Sequence, residues 1–200
     1  MTKIIFSTFK PLVALLVLVT CMSAPAFVFQ KPTGPCLSAQ EKELLKLITA
    51  ERRKLKLPDI PYSASLTKVA QLHAKDLETL RPDGTTCNMH SWSTSAKWTG
   101  CCYTADHAQA SCMWNKPKEI AGFNTNGYEI AVGGPGASVD PSTALNVWKK
   151  STGHWNVVTN KGIWSKYKWK AMGVGMFKGY AVVWFADMAD PAAFDPNCPK

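Results

Sequence analysis

At 200 residues and 46% hydrophobic content the chain suits one domain with a sizeable core, and it holds no internal repeat or low-complexity tract. Its formal charge is +9, with the lysines scattered rather than gathered in one run. Together with the export signal read below, that pattern argues against nucleic acid as a partner and favours a mild affinity for anionic surfaces such as cell walls, glycans or lipid head groups.

Residues 1–26 read as a cleavable signal peptide. Lys3 and Lys10 make the positive region, Pro11 to Val19 a short apolar run, and Ala24-Pro25-Ala26 the small-x-small cleavage site. The run is too short for a comfortable membrane anchor, which needs ~20 apolar residues. Cys21 follows Leu18-Val19-Thr20, a poor fit to a lipoprotein cleavage site because of Thr20. No later segment is apolar enough to span a bilayer, so a secreted, extracellular protein without a transmembrane anchor is expected. Cleavage removes two lysines and no acid, leaving +7 on about 174 residues.

Six cysteines remain: Cys36, Cys87, Cys101, Cys102, Cys112 and Cys198. An even number in an exported chain predicts three disulfides. Their pairing stays open. Cys36 and Cys198 lie near the two ends and suit a bridge between the termini, while the other four crowd one segment. Cys101-Cys102 lacks the C-x-x-C spacing of zinc motifs.

Residues 27–37 form an irregular lead-in. Ser38-Ala39-Gln40-Glu41 is a capping box that starts a helix running to about Lys56, with Leu44, Leu45, Ile48 and Leu55 on its apolar side. Pro58 and Pro61 end it. Ser63 caps a second helix with Leu66, Val69, Ala70, His73 and Leu77 on one face and the charged Lys68, Lys75, Asp76 and Glu78 largely off it. Thr85 to Gly122 has no steady periodicity and reads as a long disulfide-held loop region, a type of segment that is usually functional. Gly127 to Val132 predicts a strand. Asp140-Pro141 starts a third helix that ends near Gly153. Ala171–Phe177 and Tyr180–Phe185 predict a hairpin turning at Lys178-Gly179. This order predicts an α+β protein with helices on a small antiparallel sheet.

The mature chain has four histidines, His73, His90, His107 and His154. His73 sits on an apolar helical face and reads as a packed, hydrogen-bonded core histidine. His90 and His154 are placed at joins between helix and loop, where side chains reach clefts. Glu129 is the lone acid of an otherwise uncharged strand and must be paired or solvated there. Two imidazoles and a carboxylate suit a zinc-like divalent metal or general acid–base chemistry. The eight tryptophans read mainly as core or staple residues, with a minority available to line a lipid or glycan groove.

Several short motifs in order resemble the CAP superfamily: the cysteine-rich secretory proteins, antigen 5 and plant pathogenesis-related proteins, whose domain is also called SCP. These are Ala50 to Leu57-Pro58, Tyr62 to Leu66, Gly127-Tyr128-Glu129-Ile130, Trp148 with Gly153-His154-Trp155, and Gly173-Val174-Gly175. The resemblance covers roughly residues 39–185 and implies a CAP domain over 38–198 with a disulfide-stapled, three-layer α-β-α sandwich. In the family a central cleft holds two His and two Glu. Here His90 and His154 match the histidines and Glu129 the first glutamate, while Ser151 stands where the second is expected. Glu119 is a substitute from the long loop with no geometric argument behind it.

The resemblance implies an extracellular binding module for lipid, sterol or a cell-surface protein or glycan, with a metal-capable cleft. A metal-dependent hydrolase or peptidase using His90, Glu129 and His154 is the alternative, weakened by Ser151. In a variant of it, Ser151 is the nucleophile and His154 its base. A contact factor acting on a receptor through Cys87–Cys112 is a third reading. Nothing in the sequence indicates an oligomer, so a monomer is expected.

Overall fold

Apolar side chains that alternate along three strands build a sheet that must be covered on both faces. A computed structural model describes Met1 and residues 35–192, and every element named below belongs to one compact unit, Pro32–Lys200. The expected signal peptide and Cys198 lie outside the described residues.

The strands are β1 (Tyr128–Gly133), β2 (Ala171–Phe177) and β3 (Tyr180–Ala186), antiparallel in the order β1-β3-β2. β3 is therefore central and buried along its whole length. The hairpin turns at Lys178-Gly179, with Lys178 in the left-handed region at φ 48°. Because strand side chains alternate, Ile130, Met172, Val174, Val183 and Phe185 enter one core, and Ala131, Ala171, Val182 and Trp184 enter another.

The first core is closed by α1 (Ala39–Lys54), α5 (Pro141–Lys150) and α6 (Thr152–Thr159), through Leu44, Ile48, Leu145, Trp148 and Val158. The second is closed by α2 (Ala64–Thr79), through Leu66, Val69, Ala70 and Leu77, and by the segment that follows it. The layers are thus helix, sheet, helix, as expected. α2 lies directly on β2. A Cβ at Gly173 would stand 2.2 Å from the backbone of Leu66 and Thr67, and one at Gly175 would stand 2.2 Å from that of Ala70. The absence of a side chain at both positions sets the spacing between helix and sheet.

Local signals explain the helix starts. Ser38 and Glu41 form the capping box, and Ser63 and Asp140 each cap with a side-chain oxygen. Four expectations need correcting. Leu55 is 43% exposed, because α1 stops at Lys54 and Leu55 is its cap. Asp76 is buried, since it accepts hydrogen bonds from the Ser93 amide and hydroxyl. The third predicted helix is two: Ser151 ends α5 and starts α6. The long loop region carries two short helices, α3 (Ala110–Trp114) and α4 (Lys116–Ala121).

Disulfides join Cys87 to Cys102 and Cys101 to Cys112. The adjacent cysteines thus reach to opposite sides of the insert. Cys36 is also disulfide-bonded.

Candidate functional site

β1 is an edge strand, and its first residues point to opposite faces. Tyr128 enters the aromatic part of the first core, while Glu129 points toward α2. Glu129 is fully enclosed there, and each of its oxygens has a partner. Oε2 lies 2.5 Å from His73 Nδ1, and Oε1 lies 2.7 Å from His90 Nδ1. Burial pushes the Glu129 carboxyl up, but the two imidazoles outweigh that and hold it below the ordinary glutamate range. Glu129 is therefore an ionised hub between two rings.

α2 supplies His73, which is buried and hydrogen-bonded as its apolar face predicts. Its partners, however, are part of the site. Nε2 donates to the Ser91 carbonyl at 2.8 Å. Carbonyl and carboxylate oxygens only accept, so the ring donates at both nitrogens. Trp92 stacks on it with ring centroids 4.1 Å apart and 7° between planes. The Ser91 backbone thus links His73 to the loop that carries His90. That loop is held in turn by paired amides and carbonyls of Trp92 and Cys101, and by the Tyr103 amide donating to Ser91 Oγ at 2.8 Å.

His154 comes from the first turn of α6 rather than from a loop. α6 is fixed by the buried Arg52 of α1, which donates to the Val158 carbonyl at 2.5 Å and to Asn160 Oδ1 at 2.9 Å. The Trp169 indole donates to the Val157 carbonyl at 2.8 Å. His154 Nδ1 is buried with no hydrogen-bond partner among the described residues. Burial, then the nearby His90, lowers its pKa, so this ring is neutral near pH 7.

One cleft of about 400 Å³ gathers His90, Glu129, Ser151 and His154. Its remaining wall is largely aromatic: Tyr103, Trp114, Tyr128 and Trp164. Burial, then the Glu129 charge, raises the Tyr103 phenol; burial and the 3.1 Å bond to the Tyr167 hydroxyl raise Tyr128. Both stay protonated at neutral pH. Glu119 is not in the cleft. It accepts from Lys116 Nζ at 2.6 Å and from the Thr99 amide at 2.5 Å.

Sequence reasoning missed His107, which lines the cleft and bonds the Tyr103 hydroxyl through Nδ1 at 2.9 Å. It also missed the link from His73 to Glu129. The one available signal was a polar ring on an otherwise apolar helical face. Of the tryptophans, Trp114 and Trp164 line the cleft, whereas Trp148 and Trp184 are wholly core.

No protein-family model matches the chain, and no curated protein matches it. Among solved structures, the fold is similar to that of an extracellular protein containing an SCP domain from Bacillus anthracis str. Ames. Identity is 18%, with 74% of this chain and 40% of that chain covered and a TM-score of 0.50. This chain has the SCP-domain fold. A cysteine-rich secretory protein from Staphylococcus aureus is 14% identical, with 74% and 39% of the two chains covered and a TM-score of 0.48. An outer surface protein from Borrelia burgdorferi is 20% identical, with 76% and 97% covered and a TM-score of 0.49. The chain spans about two fifths of the first two structures it matches. Among its described residues, no helix of this SCP fold is long and apolar enough to cross a membrane.

Proposed function

We propose that the protein is a secreted binding module whose cleft takes a small amphipathic ligand of the lipid or sterol class, beside a divalent cation held by His90 and His154. The observation that carries this reading is the composition of the cleft wall. It is aromatic, it presents three imidazoles, those of His90, His107 and His154, and its only carboxylate among the described residues is committed on both oxygens.

The donor set fits a cation in type. His90 uses Nδ1 toward Glu129 and keeps Nε2 for a ligand, the arrangement in which a carboxylate orients a metal-bound imidazole. His154 is neutral, and its Nδ1 has no partner among the described residues. Among the described residues no group of three or more His, Cys, Asp or Glu is arranged to hold a metal. His90 and His154 would hold the cation, and water or the bound molecule would complete its shell. A cation there would supply Lewis acidity toward a carbonyl or carboxylate of the ligand. Glu129 fixes the ring of His90 and is not available to activate water.

A native mass spectrum of the mature chain, recorded with and without added zinc, tests this. The expected result is one zinc adduct lost in His90→Ala and in His154→Ala, together with co-purifying or added lipid lost when Trp164 is replaced by Ala. A bare mass under all conditions overturns it. The alternative, hydrolysis by Ser151 with His154 as base, is favoured by one observation: Ser151 caps α6 without using its side chain, three residues before a neutral His154. Esterase activity lost in both Ser151→Ala and His154→Ala would support it, and activity surviving His154→Ala would remove it.

A further inference from the structure

Between Asp140 and Asp187 the chain contains no Asp or Glu and seven lysines. Four of these, Lys161, Lys166, Lys168 and Lys170, fall within ten residues around a short 3-10 turn, Gly162–Lys166. The local geometry sorts this segment into two sides. Trp164, Tyr167 and Trp169 turn inward to the aromatic cluster of the first core, where Tyr167 and Trp169 stack with ring centroids 5.3 Å apart. The lysines between and around them are left exposed. From Tyr167 onward exposure alternates residue by residue, which places Lys168 and Lys170 on the same outer side.

Among the described residues none of the four lysines forms an ion pair with a carboxylate, and Lys166 lies over the ring of Tyr167, 5.4 Å from its centre. In contrast, Lys149 nearby is neutralised by Glu51 at 2.7 Å. In the middle of the lysines stands Ile163, 77% exposed, the most exposed large apolar side chain of residues 35–192. It lies at the rim of the cleft beside Trp164.

We infer that this segment is a docking surface for an anionic phospholipid bilayer, with Ile163 entering the interface and the four lysines meeting the head groups. Charge complementarity selects a polyanion. The exposed apolar side chain among the lysines selects a lipid surface over a soluble one, because isoleucine gains only by leaving water. Lysine stems can lie along the apolar boundary while their ammonium groups reach the phosphates. Docked this way, the cleft opens beside the membrane. The inference uses the extracellular reading but not an occupied cleft.

The test is co-sedimentation of the full mature chain with vesicles of phosphatidylcholine alone and of phosphatidylcholine with phosphatidylglycerol. Binding is expected only with the anionic lipid and should weaken with salt. Lys168→Glu with Lys170→Glu should weaken it roughly thirtyfold or more, since each lysine near such a surface counts about fivefold. Lys42→Glu with Lys75→Glu, two exposed lysines on other elements, makes the same charge change and should retain most binding. Ile163→Ser should weaken binding several-fold while leaving the salt dependence, and an unchanged melting temperature in each variant excludes misfolding. Equal loss in both double variants overturns the inference, as does heparin binding through Lys168 and Lys170 without vesicle binding. His154→Ala should dock normally, so failure of the cleft reading and failure of this one are told apart.

Discussion

His73 Nδ1 and Glu129 Oε2 meet at 2.5 Å with neither side chain exposed to solvent. The contact joins α2 to an edge strand across the second core, and Glu129 passes it on to His90 at the cleft. A buried charge held this way is costly to unpair. Glu129→Gln keeps the shape and removes the charge, leaving an amide where two ring donors converge. The expected loss is about 3–5 kcal/mol of stability, read by urea unfolding. A double-mutant cycle with His73→Ala should show strong coupling; additive losses would mean that the two residues act separately.

The closeness of α2 to β2 makes a second prediction. Gly175→Ala drives a methyl group against the Ala70 backbone, which cannot swing away as a side chain can. The expected cost is about 3 kcal/mol or more. Gly134→Ala has nothing within 4 Å of the new atom and should change stability by no more than about 0.5 kcal/mol. Thermal unfolding of the two variants side by side checks this.

Lys116 is buried, with Glu119, the Thr99 carbonyl and the face of Trp92 as its surroundings. Burial pushes the Glu119 carboxyl up, but the Lys116 and Thr99 hydrogen bonds outweigh it and hold it low. Its contribution is thus complete above the ordinary glutamate value, about 4.3, and is lost as pH falls through the lower folded value. Glu119→Gln should cost about 2 kcal/mol at neutral pH, discounted for the partial exposure of Glu119. It should also flatten the acid side of the stability curve. An unchanged acid side would assign that limb to other carboxylates.

Replacing Cys101 and Cys112 together by Ser opens a short loop that contains Tyr103 and His107. Chain entropy puts the cost at about 3 kcal/mol. Ligand uptake should fall further than stability alone explains, because the two residues line the cleft. Equal uptake at a temperature where both proteins are folded would separate this wall from binding.

The strands and helix starts were legible because their signals are local. Ser38 and Glu41 sit three residues apart, and Lys178-Gly179 sits between two apolar runs. The lone acid on β1 had to be paired or solvated, an alternative the sequence left open; it is paired, with His73 and His90. What was not legible depended on distance or shortness. Asp76 looked like a surface acid until Ser93, far along the chain, covered it. Gly153 looked like a helix stop, yet Ser151 serves as the end of one helix and the start of the next. α3 and α4 have only five and six residues, too few to show a helical period. His107 had no flanking pattern, and only the insert's folded path brings it to Tyr103.

Both bridges among residues 87–112 close on the insert itself. They give that wall a shape of its own, while its attachment to the sandwich rests on Trp92, Tyr103 and Met113 in the second core and on polar contacts such as those of Ser91 with His73 and Ser93 with Asp76. The wall is in effect a cassette. Its exposed stretch 105–109 can be rewritten between those anchors without disturbing the sheet or the rings of His73 and His90, so selectivity for cargo can diverge while the frame stays as it is.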